Sequence, residues 1–193
     1  MAVTDLLTLD EARSAVRLPS GVDAHDSDLI DQYVPAVTTI VEDITGPVVA
    51  RTVTHTAAGG SGAVLLGHPP VSVTSVAVDG GALVEGSGFV ADLAAGIVYA
   101  GSSSSRATFA GGVGSVVVTY VAGGAADTAS VPAAVKLGAG IILAHLWQAS
   151  RQGFRPDFGT PDDSTETTPS GFAVPRRAYA LLEPYAPTAA GFA

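Results

Sequence analysis

Between residues 48 and 129 apolar and polar side chains alternate; on either side of that stretch they recur at every third or fourth position. The two periods separate β-strand from α-helix. Thr8-Leu9-Asp10-Glu11 opens the first helical pattern as a capping box, in which the Thr8 hydroxyl accepts from the Glu11 amide and the Glu11 carboxylate reaches back to Thr8. Leu9, Ala12 and Val16, joined by Ala15, form a short apolar stripe, and Pro19-Ser20-Gly21 ends it.

The second helix is the clearest. Leu29, Ile30, Tyr33, Val34, Val37, Ile40, Val41 and Ile44 keep helical spacing, Asp26 or Ser27 is placed to cap it, and Asp28 and Asp31 sit near its positive end. Pro35 falls inside and is expected to kink it. Thr45-Gly46-Pro47 is a stop, with Gly46 suited to a left-handed cap.

The alternating stretch then predicts an antiparallel β module of about six or seven strands. The strands read as 51–56, 63–66, 71–78, 89–92, 96–99 and 115–121, separated by Gly59-Gly60-Ser61-Gly62, Asp79-Gly80-Gly81 and Gly111-Gly112-Val113-Gly114. Asp79-Gly80 is a two-residue hairpin signal. A third long helix starts at Val131-Pro132-Ala133 and runs to about residue 152, with Pro in its first turn. Gly138 and Gly140 lie inside it at a propensity cost of about 1 kcal/mol each, which points to close approach of another backbone. Residues 153–171 read as a linker, and a short helix from 175 to about 183 ends at Pro184. The organisation expected is 1–47 N-terminal helices, 48–130 β-rich insertion, 131–152 core helix, and 153–193 linker, short helix and tail.

Composition narrows the classes. With 47% apolar residues a core can form, and with 14% charged residues the surface is unusually neutral. No cysteine is present, which excludes disulfides and thiolate metal sites. The stretch 133–149 contains Lys136 and His145 and is too short and polar to cross a membrane; residues 1–10 lack the basic and apolar parts of a signal peptide. A soluble, intracellularly made protein is expected. Charge is uneven: residues 1–46 hold nine acids against two bases, −7, out of −9 for the whole chain. Such a surface does not bind DNA by neutralising phosphates.

Candidate chemistry is sparse, and no enzyme, cofactor or metal site is expected. Gly86-Ser87-Gly88-Phe89-Val90-Ala91 has the spacing of a dinucleotide loop, but strand-like residues follow it where a helix is needed, so it reads as a turn. Ser102-Ser103-Ser104-Ser105 reads as a solvated loop. His25, His55, His68 and His145 fall in different elements without the spacing of a zinc site, and His145 beside Trp147 reads as packed or interfacial. Asp23, Asp26, Asp28 and Asp31 lack the Gly and Glu that a calcium loop needs and read as capping groups and an acidic helical face. Arg176 and Arg177 open the last helix at its electropositive end; they read as a solvated pair, with an external acidic partner as the alternative.

Four segments, in order, carry a resemblance. They are Leu9-Asp10-Glu11-Ala12; Asp28-Leu29-Ile30 leading to Val41-Glu42-Asp43-Ile44-Thr45-Gly46; Val131-Pro132-Ala133-Ala134-Val135-Lys136 leading to Ala144-His145-Leu146-Trp147; and Ala180-Leu181-Leu182-Glu183-Pro184-Tyr185. Together they resemble the head–tail connector (adaptor) proteins of long-tailed phages and of gene transfer agents. The resemblance implies an α+β fold, a connector-type bundle of about four helices with an antiparallel β insertion between the second and third. It implies a virion neck protein: a homo-oligomeric ring, usually a dodecamer, docked below the portal by its C-terminal segment, followed by a neck stopper or tail terminator, with DNA passing through. Arg176, Arg177, Tyr179, Leu182 and Tyr185 are then expected at a partner interface, and Asp23, Asp26, Asp28 and Asp31 on an acidic face lining the channel. Another neck protein, a carbohydrate-binding β module and a small hydrolase are the competing classes; the four capped helices, the single Trp147 and the lack of a nucleophile–base set weigh against them in turn.

Overall fold

The computed structural model describes residues 5–19, 23–151 and 173–187. The expected linker at 153–171 and most of the tail lie outside them. The chain divides into two compact units, Met1–Ile44 with Pro132–Pro184, and Thr45–Val131 with Tyr185–Ala193.

The first unit is helical. Helix α1 (Leu9–Ala15) starts at the Thr8 capping box: the Glu11 amide donates to Thr8 Oγ1 at 3.3 Å, and the Thr8 amide donates to Glu11 Oε2 at 2.8 Å. A 3-10 turn (Asp23–His25) leads into α2 (Asp26–Asp28), a π turn (Leu29–Tyr33) and α3 (Val34–Thr45) without a break. The π turn answers the Pro35 problem. Proline cannot donate to the carbonyl four residues back, and in an α-turn its ring strikes that carbonyl. Here the turn just before it is widened, and the Val34 amide donates to the Leu29 carbonyl five residues back. The helix therefore runs through Pro35. Leu29, Val34, Val37 and Val41 all fall inside the unit.

Helix α4 (Ala133–Arg151) is the hub, touching α1, the π turn and α5 (Arg176–Leu182). Val135, Ala139, Ile142 and Leu143 are fully buried. Burial of a side chain of the size of Ile142 or Leu143 contributes about 1.5–3 kcal/mol. The two interior glycines are explained separately. A Cβ on Gly138 would meet Leu182 Cδ2 at 3.0 Å, so glycine lets α5 lie close; at Gly140 the neighbour is Ala15 of α1 at 3.5 Å.

The second unit is a pair of antiparallel sheets. Strands β1 (Arg51–Ala57), β3 (Pro70–Val78), β4 (Gly81–Ala82) and β7 (Val116–Ala122) form one sheet in the order β1-β7-β3-β4. Strands β2 (Ala63–Leu65), β5 (Phe89–Asp92) and β6 (Ile97–Ala100) form the other in the order β2-β6-β5. Val116, Val118, Tyr120 and Ala122 point from the central strand β7 into a core shared with Val64, Phe89 and Val98 of the second sheet. Alternation along β7 is what the sequence pattern requires of a strand with one buried face. Asp79 (φ 49°) and Gly80 (φ 82°) form the two-residue turn between β3 and β4, both left-handed as a primed turn demands. The strand reading misses only β4, the two-residue return of that hairpin.

Candidate interaction surfaces

The acidic cluster is organised by one arginine. Arg13 of α1 donates from Nε to Asp26 Oδ1 at 2.8 Å and from Nη2 to Asp26 Oδ2, and Nη2 also lies 2.6 Å from Asp23 Oδ1. The hydrogen bond to Asp26, then that to Asp23, pushes the guanidinium pKa above its ordinary value. This corrects the expected cap: His25 precedes α2 and no side chain caps it, because Asp26 is already helical and its carboxylate is turned onto Arg13. Asp28 stays half exposed, with Oδ2 3.8 Å from His25 Nδ1, and Asp31 is exposed. Among the described residues no group of three histidine or acidic side chains is placed to hold a metal.

The other sequence candidates fall into place as structure. Trp147 is buried, with His25 and Tyr33 packed edge-on at 5.5 and 5.2 Å between ring centres. Tyr33 Oη donates to Ser150 Oγ at 2.6 Å, and Ser150 Oγ donates to the Trp147 carbonyl at 2.9 Å. His25 and Tyr33 thus reach Trp147 from 122 and 114 positions away in the chain; His145 is exposed. His55 sits on β1 and His68 between β2 and β3. Gly86 and Gly88 belong to a turn leading straight into β5, which has no helix start for a dinucleotide. The Ser102 hydroxyl accepts from the Ser105 amide at 3.1 Å, inside its own loop.

On α5, Ala178 and Leu182 form the buried stripe. Leu182 is fully buried against Gly138, so it belongs to the interior of this unit and not to an outer face. Arg176, Arg177, Tyr179 and Tyr185 are exposed, Tyr179 at 47%.

Sequence reasoning missed a groove between α1 and α4. Its volume is about 630 Å³, and Leu7, Ala15, Leu137, Gly140, Ile141 and Ala144 form its apolar wall. Asp10, Glu11, Ser14 and Lys136 stand at its polar side. Glu11 Oε1 accepts from Lys136 Nζ at 2.7 Å while Oε2 completes the capping box. Burial pushes the Glu11 carboxyl up, but Lys136 and the Thr8 main chain outweigh it and hold its pKa below the ordinary value. Leu137 is 53% exposed, and with Ile141 it lies off the buried stripe of α4, which was the signal available in the sequence.

Three solved chains share this fold. A chain of the neck of an empty gene transfer agent (GTA) particle with C6 symmetry matches over 97% of this chain and 93% of its own, with TM-score 0.65 and 20% identity. A chain of the virion of a native GTA particle matches over 95% and 90%, with TM-score 0.64 and 19% identity. A chain of the neck of a native GTA particle with C12 symmetry matches over 97% and 96%, with TM-score 0.55 and 16% identity. No protein-family model and no curated protein sequence matches the chain.

Proposed function

We propose that this chain is a structural subunit of the neck of a phage-type particle, a head–tail connector (adaptor) that assembles into a homo-oligomeric ring below the portal and carries the neck stopper or tail terminator on its other side. One observation carries the reading: the fold likeness to GTA neck and virion chains extends over nearly the whole of both chains. C6 and C12 symmetry of the neck particles supports a closed ring, and twelve copies is the number we adopt. The order of elements, with a β module between α3 and α4, agrees with what the resemblance to connectors implies.

The surfaces suit the role. Residues 1–46 carry −7, and an acidic wall lets DNA slide past by repulsion instead of holding it. Asp23, Asp28 and Asp31 are the exposed carboxylates we assign to that wall, with Asp26 beneath them on Arg13. Finding them on the outer surface of the ring would sink the assignment. Arg176, Arg177, Tyr179 and, separately, Tyr185 are the exposed side chains we assign to contacts with partner chains.

Native mass spectrometry of the purified protein, alone and with portal from the same particle, tests the proposal. A ring, or a monomer that assembles only on portal, is expected. A monomer indifferent to portal would overturn it, and a ring that ignores portal would favour a stopper or terminator.

A further inference from the structure

We infer that the outward face of α5 seats in the α1/α4 groove of a second copy of this chain, a head-to-tail contact that supplies the ring interface. The inference rests on the ring reading above and names the surfaces that make it. The groove has room for an apolar anchor: it offers about 630 Å³ of mostly apolar, open space, with Leu137 half in solvent. The outward face of α5 provides one. Arg176, Tyr179 and Ala180 follow the i, i+3, i+4 spacing on the exposed side of α5, away from the buried Ala178 and Leu182. Tyr179 stands within one turn of Arg176 and Arg177, and tyrosine and arginine are both enriched among the residues that carry most binding energy at interfaces.

The charges complement one another. At the groove Glu11 is matched by Lys136, while Asp10 is exposed and makes no ion pair among the described residues. Arg176 and Arg177 make none among them either, and they stand where a helix disfavours positive charge. An acidic neighbour from outside the subunit relieves both.

The geometry selects the mode of assembly. Leu182 of α5 lies over Gly138, and Ala15 of α1 lies beside Gly140. At about 100° per residue, the groove wall of Leu137, Ile141 and Ala144 lies about 60–120° round α4 from Gly138, so the groove and α5 are distinct surfaces of one subunit. Two different surfaces that complement each other make a head-to-tail contact between copies. Such a contact closes into a ring or runs on as a filament; it does not stop at a two-fold dimer.

The experiment uses two full-length variants, Leu137→Lys in the groove and Tyr179→Lys on α5, both at exposed positions. Each alone is expected to raise the concentration for half-assembly by at least about tenfold. Mixed in equal amounts, they are expected to give a 1:1 dimer and nothing larger, because the intact α5 of one meets the intact groove of the other and the remaining pair of surfaces repels. That dimer also shows that both variants are folded. If both variants still form the wild-type ring, the contact is refuted while the ring reading stands. If the mixture stays monomeric although each variant keeps the wild-type circular dichroism, the contact is likewise refuted. If the wild-type chain forms no ring alone or on portal, the ring reading itself falls.

Discussion

Glu11 Oε1 accepts from Lys136 Nζ at 2.7 Å, joining the first turn of α1 to the second turn of α4 across 125 residues. The same carboxylate caps its own helix through the other oxygen, so one side chain fixes both the start of α1 and its place on α4. Glutamine at position 11 keeps a capping group and removes the charge.

Glu11→Gln is therefore expected to lower stability by only about 0.5 kcal/mol, as for a partly exposed ion pair, and Glu11→Ala by about 1–2 kcal/mol, because the capping box goes with it. The pH dependence has a fixed sign. The Glu11 pKa is depressed on folding, so its contribution is complete above the ordinary value of 4.5 and is lost as pH falls through the lower folded value. Denaturant titrations between neutral pH and pH 3 should show the gap between wild type and Glu11→Gln closing toward the acid end.

Gly138 and Gly140 make a matched pair. Alanine is the better helix former by about 1 kcal/mol at either site. At Gly140 the new Cβ would sit at an ordinary 3.5 Å from Ala15 Cβ, and Gly140→Ala should stabilise. At Gly138 it would meet Leu182 at 3.0 Å, and overpacking of about 1–3 kcal/mol outweighs the gain. In a Leu182→Ala background the obstruction is gone, so Gly138→Ala should change from destabilising to stabilising. A double-mutant cycle by thermal unfolding checks the sign.

Gly59 and Gly60 separate steric from backbone strain in the β unit. A Cβ on Gly59 would lie 1.6 Å from the Ala110 carbonyl oxygen, because the amides of Gly59 and Gly60 donate to Gly112 and Phe109 across a narrow gap. Gly60 has φ +89° and open space around it. Gly60→Ala should cost about 1–2 kcal/mol, the strain of a left-handed residue, and Gly59→Ala distinctly more, since the two loop backbones must part. Urea midpoints of the two variants give the order.

Tyr120 is fully buried, and its hydroxyl makes no hydrogen bond among the described residues. Burial pushes its pKa above the ordinary 10.0, with the His68 main chain a smaller opposing influence that falls short of a bond. Tyr120→Phe should be neutral or stabilising, because it removes a buried polar atom that lacks a partner. Folding raises this pKa, so the stability linked to it is complete below pH 10.0 and declines as pH rises beyond; the phenylalanine variant should lack that decline in alkaline unfolding curves.

What the sequence determined by itself was local. The Thr8–Glu11 box, the left-handed Gly46, the Asp79-Gly80 turn and the alternation along β7 are each decided within a few residues, by hydrogen bonds and dihedrals that the same few residues supply. Tertiary structure decided what those elements meet. Asp26 could cap or pair, and only the arrival of Arg13 from α1 chose pairing. Pro35 could end or bend its helix, and a π turn carries the helix through it with Leu29 and Val34 both buried. Leu182 was expected at a partner interface, yet it packs on Gly138 inside its own unit. The strand order β1-β7-β3-β4 and the groove beside Leu137 join segments tens of residues apart. Their free energy comes from burial between distant segments, and a periodic pattern states which face is buried without stating against what.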